Sequence, residues 1–345
     1  MRLQPSAAPI NSQHCVPQRG TASMVSSQKI NKSGPFTLPA IAPEYATFSH
    51  LLAHAISQLK ELPDFSDDTK IAVMSDFSGE HKGARFNTYS FLLMAYNKVG
   101  PFETKVRELR EKYGILEPYS EFKFKDLTYG PRSRALPAFL HLIDNFIHGT
   151  VVTIAIDKRI GTVFGKSKKE AHASIEKQLS TMELGQWNGA TAEKMLRICH
   201  AIAVFTALTK HDKQRLLWYC DNDAINADAR DRRFEHMQSI FVRVLGMYCA
   251  NDFEIVGFGK SFAHKGHLDD LLSIPDLAAG VVQDLLQAHD TGIDAVPGGQ
   301  EKEALIRWIA TQGRFLSKIT IQISELPDGE LGSGLVQITP VKMTD

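Results

Sequence analysis

Short apolar segments rich in β-branched and aromatic residues alternate along this chain with segments of helical periodicity, and this order constrains the fold most. The segments that predict strands are 71–76, 86–96, 121–127, 150–156, 216–220, 253–258, 319–323 and 335–338. The segments that predict helices are 45–62, 102–112, 132–148, 168–180, 192–209, 227–249, 275–289 and one around Trp308. Strands that are close in sequence, followed by strands that helices separate, predict an α/β fold: a mixed β-sheet flanked by helices. The last two strands surround a Pro-Asp-Gly turn, which predicts a C-terminal hairpin.

The length of the chain allows one large α/β domain or two smaller ones. No linker and no internal repeat interrupts residues 42–345, so we predict one domain there, with helical insertions between the strands. Residues 1–41 contain no acid, several Ser and Pro residues and no apolar core segment. That composition predicts a disordered N-terminal extension.

Charge and hydropathy narrow the classes of partner. Lys and Arg together number 39, and so do Asp and Glu, so the formal net charge is zero. A nucleic-acid partner therefore gets no support from net charge, and any basic surface has to be local. No segment reaches the ~18–20 uninterrupted apolar residues of a spanning helix, which predicts no membrane partner. The four cysteines form no Cys-x-x-Cys pair, which favours free thiols in a reducing, cytoplasmic compartment.

Two aspartates directly follow apolar strand segments. Asp76 comes after 71–75, and Asp221 comes after 216–220. A residue just past a buried strand lies at the rim of the sheet, where sheet folds commonly bind ligands. If the two strands are parallel neighbours, their ends lie about 5 Å apart, and two carboxylates at that separation repel each other unless a cation lies between them. The pattern therefore predicts a divalent cation, Mg or Mn, held by carboxylates.

Two further aspartates are candidate ligands. Asp276 is predicted in the first turn of a helix opened by Pro275, and the small residues at 278–280 would let that helix approach a sheet closely. Asp223 shares a face with Asp221 two residues on, so either could be the ligand. Each acid also has a purely structural explanation, because acids favour the first turn of a helix and aspartates often cap turns.

Five segments in the same order resemble the ribonuclease H-like family called domain of unknown function 3800. These segments are 74–79, 121–127, 154–158, 217–221 and 274–280. The resemblance implies a metal-dependent nuclease-like fold in which Asp76, Asp221 and Asp276 are metal ligands. It also implies that Glu121 is a further ligand or orients a water molecule. The chain departs from the family at Phe77, where the family usually has Glu, and losing that carboxylate could weaken or abolish the metal site.

Two functions follow as hypotheses. The first is a metal-dependent nuclease that hydrolyses RNA or DNA, in which bound metal generates hydroxide and stabilises the leaving oxygen. The second is a non-catalytic binding or scaffold protein on the same fold, with a degenerate site. Local basic clusters either hold a phosphate backbone or form solvated helix faces. They are Arg230, Arg232 and Arg233, and Lys166, Lys168 and Lys169.

Two other segments partly resemble known motifs, one a P-loop for phosphate and the other a zinc site. The segment 161–167 follows a strand and precedes a helix, as a P-loop does, but it has three residues between its glycines where the P-loop needs four. His264 and His267, with Asp269 and Asp270, could bind zinc from a loop. They lack the helix-borne His-Glu-x-x-His spacing of a zinc protease, and a plain surface loop is favoured.

Overall fold

The structure is a computed structural model, and it describes residues 2–4, 31–38, 41, 45–249, 253–261, 265–293, 296 and 298–339. The strands are β1 (Arg2–Gln4), β2 (Asn31–Ser33), β3 (Glu61–Pro63), β4 (Lys70–Ser78), β5 (Phe86–Ala95), β6 (Gly149–Asp157), β7 (Arg215–Cys220), β8 (Ile255–Lys260), β9 (Leu316–Glu325), β10 (Leu331–Leu335) and β11 (Gln337–Thr339). The helices are α1 (Thr47–Ser57), α2 (Gly100–Tyr113), α3 (Pro131–Phe146), α4 (Lys168–Thr181), α5 (Gly189–Thr209), α6 (Phe234–Tyr248), α7 (His267–Asp290) and α8 (Gln300–Ala310), with 3-10 turns at Tyr96–Lys98 and Phe124–Asp126.

Seven strands form the central sheet, in the order β10-β9-β6-β5-β4-β7-β8. β5 is antiparallel to both of its neighbours, and β10 is antiparallel to β9, whereas the remaining pairs are parallel. This arrangement confirms the predicted α/β fold with a mixed sheet. A C-terminal hairpin is present as predicted, but its second strand is β10 at 331–335 instead of the predicted 335–338. Most of the predicted N-terminal extension, residues 5–30, lies outside the described residues. The described parts of the extension include β1, which pairs with β11, and β2, which pairs with β3.

Helices cover both faces of the sheet. Side chains along a strand alternate between the two faces, so apolar strands place side chains on both faces that have to be buried. In β4, Ala72 and Met74 belong to one apolar core, with residues of α2, α3, α7 and α8. Ile71 and Val73 belong to the other core, with residues of α1, α4, α5 and α6. Among the described residues, no helix combines the length and the hydropathy that crossing a membrane requires.

The parallel pair β4 and β7 positions the predicted site. Ser75 lies opposite Cys220 in the register of this pair, so the next residues, Asp76 and Asp221, come to the same edge of the sheet. The two strands are therefore the parallel neighbours that the sequence argument required. Asp76 itself lies within β4 rather than past its end, because β4 continues to Ser78 through its pairing with β5.

Helix α7 differs from its prediction. It begins at His267 instead of Pro275, so Pro275 lies inside the helix and Asp276 is nowhere near its first turn. A proline inside a helix removes one backbone hydrogen bond and costs about 3 kcal/mol. The helix nevertheless continues through it, because the residues around it, including Leu271, Ile274 and Leu277, are fully buried against the sheet.

Two other predicted elements are wrong. Residues 121–127 form a loop with a 3-10 turn instead of a strand. Their alternating phenylalanines serve packing against helices: the Phe122 ring stacks on Phe139 of α3 with centroids 4.1 Å apart. Helix α6 begins at Phe234 and not at residue 227, since the chain before it makes a tight turn in which Ala229 and Arg232 pair.

Candidate functional site

A cleft of about 280 Å³ opens at the edge of the sheet where β4 and β7 end, and α7 and the loop at 121–125 form its other walls. We call it the acidic cleft, because five carboxylates and only two ammonium groups line it. The carboxylates are those of Asp76, Glu121, Asp221, Asp269 and Asp276, and the ammonium groups are those of Lys123 and Lys125. The fold thus brings four of the five residues predicted for the site, Asp76, Asp221, Asp276 and Glu121, to one cleft.

Asp76 lies near the end of β4 and is half-buried. Its Oδ1 accepts a hydrogen bond from the backbone N–H of Phe77 at 2.7 Å. Burial raises the pKa of Asp76 well above its usual range, and the negative charges of Asp276 and Asp221 raise it further, whereas the Phe77 N–H and Lys123 act in the opposite direction. A carboxylate in this position is short of positive charge.

Asp276 lies in the middle of α7 and reaches the loop across the cleft. Its Oδ2 accepts a hydrogen bond from the backbone N–H of Phe124 at 2.7 Å. Burial raises the pKa of Asp276 to about 6, with a further contribution from the charge of Asp221, against the lowering effect of the Phe124 N–H and Lys123. The close fit of loop and helix requires Gly280, because a Cβ there would lie 2.3 Å from the Phe124 ring.

Asp221 completes the set of three. It follows β7, is half-buried, and its Oδ1 accepts a hydrogen bond from the Asn222 N–H at 2.8 Å. Its charge raises the pKa of both Asp76 and Asp276, so the three carboxylates are close enough to repel one another. Among the described residues, however, no group of three His, Cys, Asp or Glu side chains is already gathered around a single point as metal ligands.

Glu121 lines the cleft, but its charge is already balanced. Its carboxylate forms ion pairs with Lys265 at 2.8 Å and with Lys123 at 2.9 Å. Burial opposes ionisation of Glu121, yet these two partners outweigh it and lower its pKa. A carboxylate held by two ammonium groups is a weaker candidate for a metal ligand than the three aspartates.

Asp223 lies outside the residues that line the acidic cleft. Its Oδ2 binds the Lys194 ammonium at 2.5 Å, and its Oδ1 accepts from the Ile225 N–H at 3.0 Å. The predicted shared face with Asp221 assumed an extended chain, but β7 ends at Cys220 and the chain turns after it. The structure therefore does not bring Asp223 together with the three aspartates.

Lys123 and Asp269 also line this cleft, although neither was predicted to belong to it. Asp269 accepts from the Gly266 N–H at 2.7 Å and so caps α7, while Lys265 lies 3.2 Å from it. If the start of α7 had been predicted from this capping aspartate instead of from Pro275, Asp269 would have been placed at the start of the helix that carries Asp276. Lys123 carries no local signal, because its relevance depends on the loop folding over α7.

The zinc alternative, which the sequence did not favour, gains no support from its described residues. His264 lies outside the described residues, and His267 is an exposed partner of Glu103, with 3.6 Å between Nε2 and Oε1. Asp270 points the other way into a buried ion pair, accepting from the Arg110 Nε at 3.0 Å and from the Tyr119 hydroxyl. Its role in the described structure is to pair α7 with α2.

No model of a known protein family matches the chain, and no curated protein sequence matches it.

Proposed function

We propose that this chain is a metal-dependent nuclease that hydrolyses phosphodiester bonds of RNA or DNA, with Asp76, Asp221 and Asp276 binding Mg or Mn. One observation carries the proposal: three aspartates from separate parts of the chain face one cleft, where burial and the neighbouring negative charges leave Asp76 and Asp276 short of positive charge. A divalent cation is the partner that relieves both effects at once.

The donor set fits such a cation chemically. Each of the three carboxylates uses one oxygen to accept a backbone N–H, and no hydrogen bond to the other oxygen occurs within the described part of the chain. Oxygen donors, without sulfur or imidazole, suit Mg and Mn rather than zinc. A bound divalent ion would supply a hydroxide nucleophile and would stabilise the leaving oxygen of a phosphodiester.

The remaining residues of the cleft support the same chemistry. Lys123 pairs with Glu121 and lies beside Asp76 and Asp276, and the remaining N–H groups of its ammonium are donors for a non-bridging phosphate oxygen. The hydrogen bond from the Phe124 N–H to Asp276 holds the loop that carries Lys123 against α7. The mixed sheet with helices on both faces supports the ribonuclease H-like class that the sequence resemblance implies.

The test is cleavage of single-stranded and duplex RNA and DNA with Mg²⁺ or Mn²⁺, beside calorimetric titration of the metal alone. We expect Asp76→Asn and Asp221→Asn to lose both cleavage and the heat of metal binding. Asp284→Asn is the matched control, because Asp284 lies on α7 and pairs with Lys302 but does not itself line the cleft. Equal cleavage by wild type and Asp76→Asn would reject the assignment.

The alternative is a non-catalytic binding protein on the same fold. Phe77 favours it, because this residue lines the acidic cleft at the position where the resembled family usually has a carboxylate. The alternative predicts neither heat of metal binding nor cleavage from the wild-type protein, so the same titration separates the two functions.

A further inference from the structure

A second cleft, of about 350 Å³, lies on the opposite face of the sheet at the same edge. We call it the basic cleft, because four cationic side chains and two carboxylates line it. The cations are Lys158, Lys168, Lys194 and Arg197, and the carboxylates are Glu80 and Glu193. The cations come from three places, the end of β6, the first turn of α4, and one face of α5. We propose that the basic cleft binds a phosphate of the nucleic-acid strand whose cleaved bond lies in the acidic cleft. This inference names the substrate contact of the proposed nuclease and so rests on that function.

The charge of the basic cleft is only partly compensated. Lys194 pairs with Glu80 and Asp223, and Arg197 pairs with Glu193. Lys158 instead donates to a neutral acceptor, the carbonyl oxygen of His81, at 2.8 Å. Burial lowers the pKa of Lys158, against the raising effect of Glu80. A bound anion would offset that burial.

Lys168 is exposed, and its ammonium group has no hydrogen-bond or ion-pair partner within the described ranges. It belongs to the cluster of lysines noted in the sequence, and it lines the cleft together with His172, one turn further along α4. The first turn of a helix also favours anions through its free N–H groups and the helix dipole. In a chain with zero net charge, two uncompensated ammonium groups facing one cleft are a local attraction for phosphate.

Arg197 provides an independent observation. Its side chain lines the basic cleft, only 7% of the residue is exposed, and its Nε has no hydrogen-bond partner in the described structure. The other two nitrogens are used, one by Glu193 and one by the Tyr89 hydroxyl at 3.4 Å. Nε is enclosed, so its missing partner shows that the neighbours of Arg197 satisfy the guanidinium only in part. Phosphate oxygens are acceptors that arginine prefers.

Phe77 joins the two clefts. It lines the acidic cleft, while its ring lies 5.1 Å from the Lys194 ammonium and 6.0 Å from the Tyr89 ring, both of which line the basic cleft. Lys194 also binds Asp223, two residues after Asp221. Phe77 and Lys194 therefore lie between the two clefts, and we infer that one continuous strand crosses the edge of the sheet there. Phosphate contacts of this kind position a substrate without reading its sequence.

In the other basic cluster, Arg232 serves structure. The Arg232 guanidinium donates to the carbonyl oxygen of Ala224 at 3.0 Å and lies 4.5 Å from the Trp187 ring. It therefore holds the turn before α6 and is 9% exposed, which leaves it unsuited to contact a substrate.

The test measures binding without cleavage. Fluorescein-labelled single-stranded DNA and RNA oligonucleotides are titrated in EDTA with wild type, Lys158→Gln and Lys168→Gln, at several salt concentrations. We expect each variant to bind about 3–10-fold more weakly and to reduce the slope of log affinity against log salt by about 0.7–1. Lys169→Gln is the matched control, because Lys169 is exposed on the same helix turn but does not line the cleft; it should bind as wild type does.

The outcomes separate this inference from the proposed function. If Lys168→Gln and Lys158→Gln bind like Lys169→Gln, the basic cleft is not the phosphate site, even if Asp76→Asn abolishes cleavage. If both weaken binding while no protein cleaves, the phosphate site stands and the nuclease proposal fails. If an equal concentration of a mononucleotide displaces the oligonucleotide, the proposal that one strand occupies both clefts is wrong. The basic cleft would then be a pocket for a single nucleotide.

Discussion

Replacing Asp276 by Asn should stabilise the metal-free protein while removing its response to metal. The substitution deletes a charge that burial and Asp221 disfavour, and it keeps an oxygen that can accept from the Phe124 N–H. If removing the charge of Asp276 stabilises the metal-free protein, the folded chain does not need that charge for its own stability. This result is expected for a carboxylate whose role is to bind a cation. A structural aspartate would show the reverse.

The magnitude follows from the pKa of Asp276. Its rise from the ordinary 3.8 to about 6 corresponds to about 3 kcal/mol at 1.36 kcal/mol per unit. Water in the cleft screens part of this, so we expect the free energy of unfolding of Asp276→Asn to exceed that of wild type by about 1–3 kcal/mol near pH 8.

The pH dependence provides a sharper test. Because the folded-state pKa is raised, the stability linked to Asp276 is fully present below pH 3.8 and is lost as pH rises through about 6. The advantage of Asp276→Asn should therefore be small near pH 4 and full above about pH 7. Added Mg²⁺ should stabilise wild type, by about 2.7 kcal/mol at a hundred times the dissociation constant, and leave the variant unchanged.

Urea denaturation followed by circular dichroism, in EDTA and then with Mg²⁺, measures these effects. Asp284→Asn is the control on the same helix, since it breaks only a partly exposed ion pair with Lys302 and should lose at most about 1 kcal/mol. A variant that is less stable than wild type near pH 8, or whose advantage does not shrink toward pH 4, would refute the reasoning.

Two further predictions concern the packing that forms the acidic cleft, and urea midpoints check both. Gly280→Ala should cost about 1–3 kcal/mol, because its new Cβ would meet the Phe124 ring at 2.3 Å; unchanged stability and metal affinity would show that the loop is free to move away from α7. Arg110→Met should cost about 3–5 kcal/mol, because it leaves the buried Asp270 carboxylate without its cation. Arg107→Met, on the exposed side of the same helix, should cost less than about 1 kcal/mol, and equal losses from the two arginine variants would contradict a buried, essential pair.

Local pattern was sufficient for much of the fold. The mostly apolar runs at 71–76, 150–156 and 216–220 are strands in the structure, because strands buried on both faces are nearly continuous in apolar residues. The acids that follow two of these runs predicted the shared edge of Asp76 and Asp221, because parallel neighbouring strands end together. Proline, in contrast, misled the helix prediction, since burial of the residues around Pro275 outweighed its local cost.

Which charges face which cleft depended on tertiary structure alone. Asp221 and Asp223 are two residues apart, yet one faces the acidic cleft and the other binds Lys194, because the chain turns after β7. The sequence did not indicate that Lys158 and Lys168 line the same cleft, because only the packing of β6, α4 and α5 brings them together. Periodicity along a chain reports which side chains are buried. The electrostatic environment of a side chain depends on neighbours tens to hundreds of residues away, and only the folded chain brings those together.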